Sequence, residues 1–488
     1  MRLSISLAVL AVLLFGCRKD RLFTDSPVSL EFSQAEVLFD TVFTQNPFSV
    51  TKRFRVRNPD SKGVRVDIAL QGGGSSPFRI NVDGAAGTVF EDVEISGGDS
   101  IYVFVEASLD QSNQNAPLIH EDRIRFSTNG SEQEVKLVAW GQDAHYYRPT
   151  SYPQGLPAYG IIAAEGQTVT WPNDKPYVIY GYAAVDSTAT LIIEPGVRVF
   201  VHGGGGLWIY RSGRLLAEGT VQAPITFQSD RREALYAELP GQWDRIWINE
   251  GPAGADHVMT NVVVKNALVG IQCETWPGLT LDGIPTDGAW LNLTNVKIRN
   301  CSAAGILSRN YRIRATNLLV GDCGQYGLAL TGGGAYAFNQ VTVANYWNYS
   351  VRNTPSVVMT NTHTDYTGAT GVFEIPSSTF QNSIVHGANA NEFQLDFNAL
   401  STPSLSLLRM MVRTDQTIAN AYVPDPNTLW RNQDPGFRSI ANRDFHLAAG
   451  SFARNRSIST PPPATSDLDG VDRGQDGQYD LGCYEYVP

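Results

Sequence analysis

Asn295-Val296-Lys297-Ile298-Arg299-Asn300-Cys301, followed by Gly305-Ile306, is written three times in this chain. The second copy is Asn317-Leu318-Leu319-Val320-Gly321-Asp322-Cys323 with Gly327-Leu328, and the third is Gln340-Val341-Thr342-Val343-Ala344-Asn345-Tyr346 with Ser350-Val351. Val296 to Leu318 is 22 residues and Leu318 to Val341 is 23. Each copy holds a short alternating run, a polar kink and a second apolar run. Neither run can close a core alone, so the copies must stack. Alternation over three or four residues means strands, with Val296/Ile298, Leu318/Val320 and Val341/Val343 turned inward. No helical pattern fits between them, which argues against βαβ units. The reading is a parallel β-helix.

Stacking turns sequence columns into ladders about 4.8 Å apart. Asn266, Asn300, Asp322 and Asn345 form a column at the bend, where short polar side chains can bond the turn backbone and one another. Cys301, Cys323 and Tyr346 form a second column, expected along one wall. Four cysteines follow position 17, at 273, 301, 323 and 483, and they allow three pairings. Cys301 and Cys323 lie one coil apart, so a disulfide and a stack of free thiols both fit.

Outward from this seed, Thr190 to Val197, Leu207 to Tyr210, Gly213 to Thr220, Pro224 to Phe227, Trp243 to Ile248 and Val262 to Val264 continue the pattern. This resembles the right-handed parallel β-helix superfamily of pectin-lyase-like proteins, with coils beginning near Gly160. The superfamily spans lyases, hydrolases, adhesins and tailspikes, so the resemblance implies a fold and no single activity. Asp444-Phe445-His446-Leu447, Gly450-Ser451, Asp467 to Gly470 and Asp480 to Glu485 resemble the closing segment of bacterial β-helix surface proteins. That resemblance implies a cap over the last coil and its open edges.

Residues 28–144 read differently. Short strands at Ser49–Val56, Val64–Leu70, Ile101–Val105, Ile124–Ser127 and Glu134–Trp140 alternate with turn clusters and contain no helix, the pattern of an antiparallel sandwich. Phe54 to Asn58 and Val66 to Ile68 resemble immunoglobulin-like modules of surface proteins. With Phe39 to Phe43 and Trp140 to Ala144 they resemble the leading domain of uncharacterised Gram-negative lipoproteins. The expected organisation is a signal peptide at 1–16, a tether at 17–27, the sandwich at 28–144, a linker at 145–159, the β-helix at 160–443 and a cap at 444–488.

Arg2, the apolar run Leu3 to Phe15 and Gly16-Cys17 form a processing signal too short for a confident membrane span. Leu14-Phe15-Gly16-Cys17 resembles a bacterial lipoprotein signal, which implies lipid on Cys17 and an outer-membrane anchor. The chain carries a net charge of −11 and has no basic run, which argues against nucleic acid as a partner.

Sugar-acting β-helix enzymes place carboxylates or arginines on one outer face. The Asn-Thr-Asp, Asp-Asp, Gly-His-Gly and Arg-Ile-Lys motifs of the polygalacturonase-like hydrolases have no counterpart here. The catalytic candidates left are Asp244, Asp256, His257, His363, Asp365 and His386, and each is of a type that more often caps a turn or faces solvent. Trp276, Trp290 and Trp347 are the candidates for stacking on a sugar. The first two flank an insertion, Glu274 to Ala289, that breaks the coil period. Asp467, Asp469 and Asp472 resemble a calcium loop, but Val471 stands where a ligand belongs, so no cofactor is expected. The resulting reading is a lipid-anchored envelope protein presenting a rigid β-helix for glycan or surface binding without catalysis. The alternatives are a lyase or glycoside hydrolase acting on uronate-rich polymers, or a purely structural envelope component.

If Cys17 bears the lipid, cells fed radiolabelled palmitate will label the chain and retain it with membranes. Cys17→Ser will lose both. Label persisting on the serine variant would remove Cys17 as the attachment point.

Overall fold

The computed structural model describes residues 22–44, 51–111, 118–233, 235–252, 254–275, 288–364, 368–458, 465–475 and 477–488. The signal peptide and Cys17 lie outside them. The chain is all-β, with three short 3-10 turns as its helical content among the described residues, and it divides into two compact units, Met1–Ala144 and His145–Pro488.

The first unit has two five-stranded sheets. One runs in the order Glu31–Phe32, Lys52–Arg57, Ser100–Ala107, Phe78–Val82, Ala85–Gly87, and the other Glu36–Phe43, Ser131–Gln142, Leu118–Thr128, Val64–Leu70, Val89–Ile95. Val64, Val66, Ile68 and Leu70 alternate with exposed neighbours because one face of their strand meets a core and the other meets water. Phe54, Val56, Phe78, Ile80, Val103, Ile124, Phe126 and Leu137 join them in one core drawn from both sheets. Among the described strands the pairing is antiparallel, apart from Glu36–Phe43, which lies parallel to Ser131–Gln142.

The second unit is dominated by one sheet of 22 strands whose parallel pairings join strands one to five positions apart, most often two or three. Val296 sits beside Leu318 and Ile298 beside Val320, and Val262 lies beside Val296 on the preceding rung. Three faces result. The first carries Tyr177–Ile179, Arg198–Val201, Ile225–Ser229 and the ends of His257–Lys265 and Leu291–Arg299. The second carries Tyr182–Val185, Gly206–Ile209, Ile246–Ile248 and Val269–Glu274. The third carries Thr168–Trp171, Thr190–Ile193 and Arg214–Glu218. Val296, Ile298, Leu318, Val320, Val341 and Val343 are fully buried within a single core that runs the length of the stack.

The bends depend on residues that tolerate a left-handed backbone. Asn266, Asn300 and Asp322 have φ of 66°, 60° and 51°, a region open to Asn and Asp because their short side chains bond locally. Asn300 Nδ2 donates to Asn266 Oδ1 at 2.9 Å, and Asn345 Nδ2 to the Cys323 carbonyl at 2.9 Å. A second column was not read from the sequence. Asn261, Asn295, Asn317 and Gln340 also have φ near 50°, and Asn317 donates to Asn295, which donates to Asn261. These residues mark the corner that precedes the first-face strands.

Three expectations need correction. His145–Tyr147, read as linker, is a strand paired in parallel with Tyr177–Ile179, so the stack starts earlier than Gly160. Cys301 and Cys323 stack inside the core as free thiols, but Tyr346 leaves that column and packs against Phe445 and Phe437. The described residues of 444–488 pack on the side of the stack. They lie along the first face as a strap, over the outward side chains Leu319, Ala344, Ile384 and Met411. That cover explains why these outward positions are apolar. Between the last two strands of the stack, Leu405–Val412 and Leu429–Arg431, Ile418 and Val423 join the core, with Tyr422 packed on it. Arg473, buried in the strap, donates to Glu485 at 3.0 Å and to Asn317 Oδ1 at 2.9 Å, tying strap to stack.

Asn300→Ala should cost roughly 2 kcal/mol, from two lost hydrogen bonds and a strained φ. Asn300→Gly keeps the backbone relaxed and should cost about half as much. Equal losses in calorimetry would show that the left-handed bend is not what selects asparagine.

Candidate functional site

The structure scatters the catalytic candidates. Asp244 lies beside the second face, where Oδ1 accepts from Arg245 at 2.8 Å and Oδ2 from the Tyr182 hydroxyl. Arg245 also donates to Gln272, and Gln272 to Glu274 at 2.8 Å. Glu274, almost wholly buried, further accepts from Trp247 Nε1 at 2.7 Å and Arg309 at 2.8 Å. Each carboxylate here is therefore held by a guanidinium. Trp247 stacks on the buried Trp208 with centroids 4.9 Å apart, an aromatic ladder that sequence reading did not single out.

Asp256 accepts from the Trp290 amide at 3.0 Å and the Asn292 side chain at 2.9 Å, with Arg314 3.5 Å away. The Arg314 guanidinium lies 3.9 Å from the Trp290 ring centroid, so one face of that indole is already occupied. His257 is fully buried, its Nδ1 accepting from the Leu215 amide, and burial pushes its pKa down to about 4. His386, bonded to the Tyr346 hydroxyl at 2.7 Å, is likewise pushed by burial to about 4. Both imidazoles are neutral packing groups at pH 7. His363 sits on the small hairpin Thr362–Thr364/Thr370–Val372 above Gly332. Asp365 and Trp276 lie outside the described residues, as does most of the insertion between Glu274 and Ala289.

The acidic loop is used internally. Asp467 Oδ1 accepts from the amides of Asp469 and Val471, and Oδ2 from that of Glu485. Asp469 takes Lys297 Nζ at 2.7 Å and His446 Nε2 at 2.8 Å, while His446 Nδ1 faces Asp444 at 2.5 Å. Asp472 is exposed and pairs through its backbone with Ser466. Among the described residues, no group of three or more His, Cys, Asp or Glu is arranged to hold a metal.

Trp347 is placed in the best candidate surface. It packs over Gly324 at a bend, and its ring lies 4.9 Å from that of Tyr349, which is 41 % exposed. The turn bearing both is fixed from below. Arg352, buried, donates twice to the buried Glu392 and also to the Asn345 carbonyl, while Ser356 and Asn389 saturate the same carboxylate. From the side, the Tyr349 hydroxyl donates to the Glu238 carbonyl at 2.5 Å and Arg443 lies 5.5 Å from the Tyr349 ring. The Glu238 carboxylate gathers Lys265, Arg299 and Arg443, each at 3.3 to 3.4 Å, and Arg443 also reaches Asp322 at 3.2 Å. Glu238 stands on a loop, residues 230–241, that lengthens its rung. Leu207 pairs with Ile246, 39 positions on, against 22 between Val296 and Leu318. The sequence signal was this interrupted period; the repeat before residue 262 was too irregular to expose it.

No protein-family model and no curated protein matches the chain. Among solved structures it is similar in part to the YadV chaperone, at 11% identity and TM-score 0.17, over 22% of this chain and 50% of that one. The PapD-like domain 7 of human CEP192 is similar at 10% identity and TM-score 0.18, over 26% and 95%. The E. coli chaperone DraB is similar at 11% and 0.18, over 25% and 58%. The chain thus spans about half the length of the YadV chaperone. Similarity at this level carries no functional inference.

His446 gives the strap a pH signature. Asp469, and then Asp444, raise its pKa above the ordinary 6.5. Its contribution to stability is therefore complete below pH about 6.5 and lost as pH rises through the raised value. The melting temperature of the native chain should fall over that interval, and that of His446→Gln should fall less. Identical slopes would exclude His446 as the group responsible.

Proposed function

We propose that this chain is a lipid-anchored protein of a Gram-negative cell envelope that binds glycan without catalysis. In this reading an immunoglobulin-like sandwich precedes a right-handed parallel β-helix of the pectin-lyase-like kind. Parallel pairing of strands most often two or three positions apart, around a single aliphatic core, supports the fold assignment. The resemblance of Leu14-Phe15-Gly16-Cys17 to lipoprotein signals supports the anchor.

The observation that carries the binding role is the Trp347–Tyr349 platform. Two aromatic rings are held at an exposed bend by a saturated, buried Arg352–Glu392 pair. Charged side chains stand at the edge of the rings, within reach of a sugar's hydroxyls. A rigid aromatic surface with a polar rim gives stacking at little cost in side-chain entropy. The hydrolase or lyase alternative has less support. Asp244 and Glu274, acids brought into one network, are each engaged by an arginine, Arg245 and Arg309.

The test is a polysaccharide panel titrated against the full-length protein. Binding to at least one polymer is expected, with Trp347→Ala and Tyr349→Ala each weakening it tenfold or more and leaving the melting temperature within a few degrees. No binding across the panel, or binding indifferent to both substitutions, would overturn the assignment.

A further inference from the structure

The loop that carries Glu238 to the platform also delivers a cation to a second place on the first face, two rungs before the strand that bears Lys265. Val199 and Val201 of the strand Arg198–Val201 point into the core, so Arg198 and Phe200 share its outward side. Arg232 folds back from the loop and lays its guanidinium 5.1 Å from the Phe200 ring centroid. Arg232 thus brings a second guanidinium to the side of the strand from which Arg198 projects. Burial and then the charge of Arg232 push the Arg198 pKa below its ordinary value.

Ordinarily such a pair is relieved by a carboxylate. Here the local acids face other cations: Asp230 Oδ2 meets His202 at 2.7 Å, with Oδ1 shielded and without a hydrogen-bond partner, and Glu233 meets Arg231 at 3.2 Å. Among the described residues neither Arg198 nor Arg232 has a carboxylate partner. Beside Arg198 in the parallel register stands Thr226, whose hydroxyl is shielded from solvent and has no hydrogen-bond partner. Shielded hydroxyls are normally satisfied, so an unsatisfied one next to two unrelieved cations is out of keeping with a merely structural corner. In a chain of net charge −11 the local sign is also reversed.

We propose that Arg198, Arg232 and Thr226 form a binding site for a phosphate group, separate from the Trp347–Tyr349 platform and independent of its role. Planar guanidinium forks match the oxygens of a phosphate and favour its double charge, and the threonine hydroxyl supplies a further donor. Phe200 forms an apolar floor that holds Arg232 in place and keeps water from one side of it. The phosphate can be free or borne on a sugar, since both present the same oxygens.

Calorimetric titration of the full-length protein with inorganic phosphate, glucose 6-phosphate and galacturonate tests the site. Saturable binding of inorganic phosphate is expected, with Arg232→Gln and Arg198→Gln each weakening it at least tenfold and Thr226→Val by severalfold. Arg232 is on a surface loop, so its substitution also serves as the variant that leaves folding intact, to be verified by the melting temperature. Tyr349→Ala should bind phosphate as the native chain does. Tighter binding of glucose 6-phosphate would assign the site to a phosphorylated glycan, and tighter binding of inorganic phosphate to the free ion. The proposal is overturned by absence of phosphate binding, by arginine variants that bind equally well, or by galacturonate binding as tightly as glucose 6-phosphate, which would mark a carboxylate site.

Discussion

Left-handed corners are the constraint on which the second unit depends. A chain can return every 22 or 23 residues to the same place only if it turns sharply at fixed positions, and Asn261, Asn295 and Asn317 make one turn while Asn266, Asn300 and Asp322 make the next. Each must accept a backbone conformation that Cβ disfavours and must also satisfy polar groups that the turn removes from water. Asparagine does both, with its side chain bonded to the rung before or after. The aliphatic ladder supplies the hydrophobic stabilisation. It is the corners that keep that ladder in register, because a slip of one residue would send Val296 and Ile298 outward and Lys297 inward.

This explains what could be read in advance. Inward positions, the polar bend at Asn300 and Asp322, and the stacking of Cys301 beside Cys323 follow from spacing alone, since they repeat from rung to rung; that the two thiols stay unbridged does not. The misread parts are those where the chain meets something distant in sequence. Tyr346 aligns with Cys323 in the repeat, yet the strap offers it Phe445 and Phe437, and it swings outward to meet them. Leu319 is apolar at an outward position because Phe445 and Leu468 cover it. The strap itself carried motifs of a closing segment, but nothing local to it states which surface it closes.

The same distinction runs through the candidate surface. Trp347 was legible as an outward aromatic following a repeat. Its partners were not: Tyr349 is two residues away, but Glu238 comes from an irregular earlier rung and Arg443 from the strap. Trp290 shows the converse. Its position beside an insertion was legible, whereas Arg314, which covers its ring, lies in the middle of an ordinary strand. Local sequence reports a side chain's direction far better than its company.

The strap has a consequence for how the molecule comes into being. A stack held by neighbouring rungs can assemble in the order in which it is synthesised, each rung templating the next. Leu319, Ala344, Ile384 and Met411, however, belong to four successive rungs and are covered by Phe445, Leu447, Leu468, Leu481 and Tyr484, all of which follow those rungs in the chain. Until that segment is made, the nascent protein therefore displays a straight oily seam. Arrival of the strap, rather than closure of the coil, is the step that makes this surface safe from self-association, and a copy stopped before it would keep the seam bare.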